Sequence, residues 1–310
     1  MTSSRELLES LLSDFVARSP QMADIGLSIT SLGDARASMH LPDRHDWLGD
    51  PGRGLLHPGP LIVLADSCCG LAVGSALPQR VVIATLDLRM DYLRAAGPGQ
   101  DLHCEMHCHR LTRNVAFVRG EVWQADRAEP VVDVHASFML STPAKRPSTV
   151  RGDERVADAA PWQAPAGAAP VLDGVDIPYA NYLGIRLVQS GEVSVFQLPY
   201  QPKLIGNPHL PALHGGVVAG FAQTAATLHL IQAVGGAKFP KCVDFSIDYL
   251  RSGRPEATYA SCEIVRLGGR VALVQVRCWQ GKGPSAPITV ARGHFLLTDP
   301  HEVDHELQKS

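Results

Sequence analysis

Two histidines open long apolar runs in this 310-residue chain, and the residues around them are suited to acyl chemistry. His214-Gly215-Gly216 leads into Val217-Val218-Ala219-Gly220-Phe221-Ala222-Gln223, and His57-Pro58-Gly59 leads into Leu61-Ile62-Val63-Leu64-Ala65-Asp66. Small residues where a helix begins leave backbone N–H groups without intrahelical acceptors, at the positive end of the helix dipole. A developing oxyanion is stabilised in such a place. Asp66 is a carboxylate inside an apolar run, where burial without a partner is costly and points to a functional site. The copies differ where chemistry needs them to agree. Gly215 has an N–H and Pro58 has none; Asp66 can take a proton at neutral pH and Gln223 cannot.

The rest of the chain repeats around these runs. His57 and His214 are 157 residues apart, and the same offset joins Asp87 to Asp244, Asp91 to Asp248, Tyr92-Leu93-Arg94 to Tyr249-Leu250-Arg251, Arg113 to Arg270 and Phe138 to Phe295, with no gap between them. A fixed internal offset marks a tandem repeat. In the first copy the spacing of apolar residues predicts an amphipathic helix over 5–18, stopped by Pro20, then strands over 25–29 and 35–41 around a Gly33-Asp34 turn. Residues 61–77 are apolar nearly all round, as in a helix buried on every side. Residues 86–92 alternate, with the even-numbered side chains apolar, and two or three further strands are expected, at 101–111, 115–124 and 131–140. This divides the chain into a domain at 1–142, an Ala/Pro/Gly-rich linker at 143–176 and a second domain at 177–310, each domain with its own core.

Composition excludes several classes. With 28 Lys and Arg against 31 Asp and Glu, a net charge of −3 and no basic block, nucleic acid is not the expected partner. Mean hydropathy is +0.01, no apolar run of about 18 residues is evident, and the amino terminus lacks the features of a secretory signal. A cytoplasmic protein with no membrane partner is expected. Seven scattered cysteines without a CxxC pair suit reduced thiols. His103-Cys104-Glu105-Met106-His107-Cys108-His109 has metal-ligand residue types, but on a strand the cysteines and histidines face opposite ways, so no metal is expected. Cys68-Cys69 reads as small apolar packing.

A hairpin, a buried helix opened by His-Gly-Gly, and a meander whose first strand ends in Asp-Tyr-Leu-Arg resemble the hotdog-fold thioesterases, specifically the PaaI-like branch that cleaves acyl-coenzyme A. The resemblance covers about 25–140 and 182–297. It implies an α+β fold of two hotdog domains in tandem, each an antiparallel sheet wrapped around a long helix, paired as a pseudo-dimer within the chain. It implies a backbone N–H donor just after the His, at Gly215, and a carboxylate from the partner unit, Asp66, as base or nucleophile. His214 would brace the loop or touch the substrate, Thr85 would orient the water near the carboxylate, Asn207 would help to place water or substrate, and Gly216 with Arg94, Arg113, Arg251 and Arg270 would meet the substrate, the arginines at the coenzyme A phosphates. Because sites in this family are built across the pair, Asp66 would join His214-Gly215-Gly216 in the single working site, and Gln223 would meet His57-Pro58-Gly59 in a dead one. Acyl-CoA is then the small-molecule substrate, no separate cofactor is required, and two such chains are expected to pair as a homodimer. A non-hydrolytic acyl-thioester binding protein with decayed sites is the alternative.

Overall fold

The computed structural model describes residues 4–79, 81–141, 176–190, 193–207, 211–235 and 238–298. The first half runs α1 (Ser4–Arg18), α2 (Pro20–Asp24), β1 (Ser28–Gly33), β2 (Arg36–Leu41), the short strands β3 (Leu48–Asp50) and β4 (Leu55–Leu56), α3 (Pro58–Ala76), β5 (Val82–Tyr92), β6 (Leu102–Leu111), β7 (Val115–Trp123) and β8 (Val132–Ser141). The second half continues with α4 (Pro178–Leu183), β9 (Arg186–Ser190), β10 (Val193–Leu198), β11 (Ile205–Asn207), β12 (Ala212–Leu213), α5 (Gly215–Ala233), β13 (Phe239–Tyr249), β14 (Thr258–Leu267), β15 (Val271–Trp279) and β16 (Thr289–Thr298). The expected linker at 143–176 lies outside the described residues, apart from Asp176 at its end.

Local chemistry accounts for the element boundaries. Pro58 occupies the first position of α3, where its missing N–H costs nothing and its fixed φ suits the helix. Pro20 likewise begins α2, so it starts a second short helix as well as ending the first. The β1–β2 hairpin turns through Asp34 and Ala35, at φ 53° and 60°, one residue later than the expected Gly33-Asp34 turn. Two consecutive left-handed residues give the turn a twist that matches the flanking strands.

Twelve strands form one antiparallel sheet in the order β1-β2-β6-β7-β8-β5-β13-β16-β15-β14-β10-β9. Its order reads as the same six-strand unit from either edge. At the centre β5 pairs with β13 about Arg89 and Ser246, so Asp87 faces Asp248 and Asp91 faces Asp244. Each half thus supplies its equivalent strand to a local two-fold axis. Helices α3 and α5 pack against the inner face and against each other, antiparallel through their N-terminal halves. There a Cβ on Gly216 would come within 2.7 Å of Val63 Cα, so only glycine permits this approach.

Three expectations need correction. Among the described residues, the buried apolar side chains of both halves form one continuous core cluster, because the shared sheet and the α3–α5 contact join them, and Val188, Val195 and Trp279 form a small satellite. The offset of 157 holds for β5 and β8 but becomes 156 in β6 and β7: Cys104 opposite Val122 corresponds to Ala260 opposite Cys278. The loop before β14 is one residue shorter than its counterpart and the loop before β16 one longer, so the two changes cancel. Arg270 consequently superposes on Asn114, not on Arg113; the carbonyls of Asn114 and Arg270 accept from Leu140 and Leu297 N–H alike, each at 2.8 Å. Finally, α3 is long and apolar enough to cross a membrane by length and composition, with hydropathy 1.5, but 78% of that stretch is buried inside the fold. It is a core helix wrapped by sheet and partner helix.

Candidate active site

Asp66 projects from α3 onto the opening turn of α5. Its Oδ2 accepts from the Gly216 N–H at 2.8 Å and its Oδ1 from Thr85 Oγ1 at 3.1 Å. The carboxylate is 7% exposed and lines a cavity of about 620 Å3. A carboxylate has about four lone-pair positions, so two bonds leave capacity toward that cavity. Thr85 reaches it because a β-bulge between Thr85 and Asp87 interrupts the alternation of β5. Leu88 and Met90 face the core, and without the extra residue Thr85 would point to the opposite face.

His214 is the N-cap of α5. Its Nδ1 accepts from Gly216 N–H at 3.0 Å, while Nε2 lies 3.1 Å from Ser67 Oγ, whose own proton goes to Val63 O at 2.7 Å. This pattern holds a neutral ring with its proton on Nε2. Burial depresses the His214 pKa, and the Asp66 charge opposes that shift. With both nitrogens engaged, His214 is a positioning residue that braces the loop, one of the two roles left open for it by the sequence. The expectation for Gly216 is corrected: its N–H is taken by Asp66 and His214 rather than by a ligand. Gly215 differs. As the first residue of α5 its N–H has no intrahelical acceptor, and a Cβ placed on it would lie 2.9 Å from Asp66 Oδ2. Tyr249 donates to its carbonyl at 3.0 Å and fixes the loop from behind. Asn207 ends β11, and it lines the same cavity as Asp66, Thr85, His214 and Gly215.

The four arginines are not on this cavity. Arg94 pairs with Glu129 at 2.5 Å beside the opposite cleft, and Arg251 donates to Pro287 O at 2.8 Å. Arg113 and Arg270 are exposed at the ends of the β6–β7 and β14–β15 hairpins. Loop positions that follow strand ends turn outward, so these residues lie on the surface, away from the carboxylate. Within β6, Cys104 and Cys108 are buried in the core while His103, His107 and His109 face outward. Cys68 donates to Ala37 O at 3.2 Å, and burial pushes its thiol and that of Cys69 well up, away from the nucleophilic thiolate.

The mirror-related site has the same frame without the reactive groups. His57 caps α3 by accepting from Gly59 N–H at 2.9 Å, and Thr224 stands 3.3 Å from its Nε2. Gln223 replaces the carboxylate and accepts from Tyr92 OH at 2.9 Å. Tyr179 stacks on His57 with ring centroids 4.7 Å apart. The adjoining cavity is about 110 Å3. The brace formed by Ser67 and Thr224 was not singled out in the sequence, although both hydroxyls follow the Asp66/Gln223 position by one residue.

Burial lowers His57 to about 3, far below its unfolded value near 6.5. The unfolded chain therefore binds a proton that the folded chain refuses. This contribution to stability is complete above about pH 6.5 and is lost as pH falls toward 3, with a slope of about 1.4 kcal/mol per unit for each such histidine. Urea unfolding between pH 7 and 4.5 should show this decline. His57→Asn, which keeps a cap acceptor but cannot titrate, should flatten it by one histidine's share.

Comparison with known proteins bears on the family and the fold. Residues 53–131 match the thioesterase superfamily family model, and residues 207–296 match that of the acyl-CoA thioesterase N-terminal domain. A Halobacterium salinarum protein with a provisional esterase name is 35% identical over 91 residues, 28% of this chain and 60% of that one, so this chain spans less than two thirds of it. The medium/long-chain acyl-CoA thioesterase YigI of Escherichia coli is 30% identical over 115 residues, 32% of this chain and 74% of YigI. Among solved structures, a conserved hot dog fold protein from Alicyclobacillus acidocaldarius aligns over 92% of this chain and 98% of its own, with a TM-score of 0.58 and 13% identity. The chain belongs to the hotdog-fold thioesterase superfamily and carries two of its domains in tandem within one polypeptide.

Proposed function

We propose that this protein is an acyl-CoA thioesterase with one composite active site per chain, formed by Asp66 of the first half and Gly215 of the second. The observation that carries the reading is the 2.8 Å contact between Asp66 Oδ2 and the opening turn of α5, at the mouth of a cavity large enough for a ligand. The named activity of YigI supports the substrate class.

Asp66 acts as general base. Held on both oxygens by Thr85 and Gly216, the carboxylate is fixed in place and is better suited to orient a water than to swing onto carbon. The water oxygen attacks the thioester carbon while its proton passes to Asp66. The carbonyl oxygen becomes an oxyanion directed at the Gly215 N–H and the positive end of α5. When the tetrahedral centre collapses, the C–S bond breaks and the coenzyme A sulfur leaves with the proton from Asp66. The products are the free acid and the thiol, and the carboxylate is regenerated. Asn207, on the same wall, helps to place the water.

The test is thiol release from short, medium, long and aryl acyl-CoA substrates. Hydrolysis of at least one class is expected, and tight coenzyme A ester binding with no release from any would replace this reading by a binding function. Gln223→Asp is expected to leave kcat unchanged within about twofold, because Pro58 still offers no N–H. The same variant should lower Tm, since Gln223 is fully buried and a carboxylate there lacks a cationic partner. A second active site arising in Gln223→Asp would sink the single-site assignment.

A further inference from the structure

The two central helices differ along one face. Asp66, Gly70 and Gly74 succeed one another at four-residue intervals on α3, so they lie on one stripe of the helix. The equivalent positions on α5 are Gln223, Thr227 and Ile231. Both glycines line the cavity that contains Asp66, together with Leu71, Leu77, Ile83 and Phe138. The missing side chain of Gly70 leaves a trough running away from the carboxylate, and that of Gly74 admits Leu12 at its far end. A Cβ on Gly70 would meet only Ile83 Cδ1, at 3.9 Å, whereas one on Gly74 would lie 2.8 Å from Leu12 Cδ2. Leu12 and Phe15 therefore bring α1 down over the far end as a roof. Among the described residues, the second half has no counterpart of α1, and Thr227 stands on the wall of the smaller mirror cavity.

We propose that this trough is the acyl subsite and that it selects a straight aliphatic chain of about ten carbons. The chain lies along α3 from the thioester beside Asp66 to Leu12 above Gly74; the inference rests on the thioesterase reading for the position of the reacting carbon. Eight residues of helix span about 12 Å. An extended chain advances about 1.2 Å per bond, as a polypeptide does over its three bonds per residue, so about ten bonds fill the distance. Among the described residues, Asp66 and His214 are the only titratable groups on the cavity wall, and with the polar Ser67, Thr85 and Asn207 they stand at the reactive end, whereas the wall along Gly70, Leu71, Gly74, Leu77, Ile83 and Phe138 is apolar. An uncharged hydrocarbon is what such a wall admits, and each methylene buried there raises affinity about fourfold.

The test is a kcat/KM profile for butyryl-, decanoyl- and palmitoyl-CoA on the full chain, paired with Kd values for the same ligands on Asp66→Asn, where turnover does not enter. Both measures should favour decanoyl over butyryl by about a hundredfold or more, with palmitoyl falling below decanoyl. Gly70→Leu, added to either protein, should cut the decanoyl-to-butyryl ratio about a hundredfold, and Gly70→Ala should cut it less, providing a variant whose added methyl the site can accommodate. Leu12→Ala should open the far end and raise palmitoyl relative to decanoyl. A folded Gly70→Leu protein with an unchanged ratio, or Kd values independent of chain length, would overturn the trough. No turnover on any substrate, with Kd still tightening to decanoyl through Gly70, would overturn the thioesterase reading and leave the subsite supported.

Discussion

Asp66→Asn is expected to lower kcat by about two to four orders of magnitude, the usual contribution of a positioned general base. KM should change little. Asn is nearly isosteric with Asp: its oxygen can accept from the Gly216 N–H, and Thr85, whose hydroxyl both donates and accepts, can receive its amide N–H. The loop geometry and the cavity therefore persist, and the lost function is proton acceptance. Among the described residues no other group on the wall can take over, because His214 already uses one ring nitrogen toward Gly216 and the other toward Ser67. Steady-state kinetics with the best acyl-CoA substrate, alongside thermal unfolding to show that the fold is retained, decides the matter. A kcat within about threefold of wild type would remove Asp66 from the proton-transfer role.

The second large effect is expected at Gly215. Gly215→Pro reproduces in the second half what Pro58 already does in the first: the helix keeps an acceptable N1 residue and loses one N–H. Removing a single oxyanion donor costs about two to three orders of magnitude in kcat. Proline also introduces a Cβ, which at this position would lie 2.9 Å from Asp66 Oδ2. Gly215→Ala carries the same Cβ and keeps the N–H, so the pair separates crowding from donation. The alanine variant should lose on the order of tenfold through displacement of the carboxylate, and the proline variant should fall a further hundredfold or more. Equal kcat values for the two would show that the donor is not the Gly215 N–H.

What could be read along the chain was whatever repeats locally. The paired histidines, the buried helix and the strands of the meander are periodic or duplicated patterns that follow from hydrophobic spacing whatever the chain does at a distance, and the hotdog organisation followed from the family resemblance that those motifs carry. Pro58 against Gly215 and Asp66 against Gln223 are differences of residue type, visible without coordinates.

Features that depend on the meeting of two elements were not legible. The bulge that turns Thr85 toward Asp66 recurs at Cys242/Asp244 in β13, so comparing the copies does not reveal it and alternation alone assigns Thr85 to the wrong face. Two compensating loop changes hid the one-residue slip in β6 and β7, and with it the true partner of Arg270. The choice of bracing over substrate contact for His214, the capture of the Gly216 N–H by Asp66 and the roofing of the cavity by α1 all arise where α1, α3 and α5 converge. Residue types and spacing determined which groups were available for chemistry. Only the packed structure decided which donors remain free, because a hydrogen bond made inside the protein removes that group from the substrate, and such pairing is a property of distance in space rather than position in the chain.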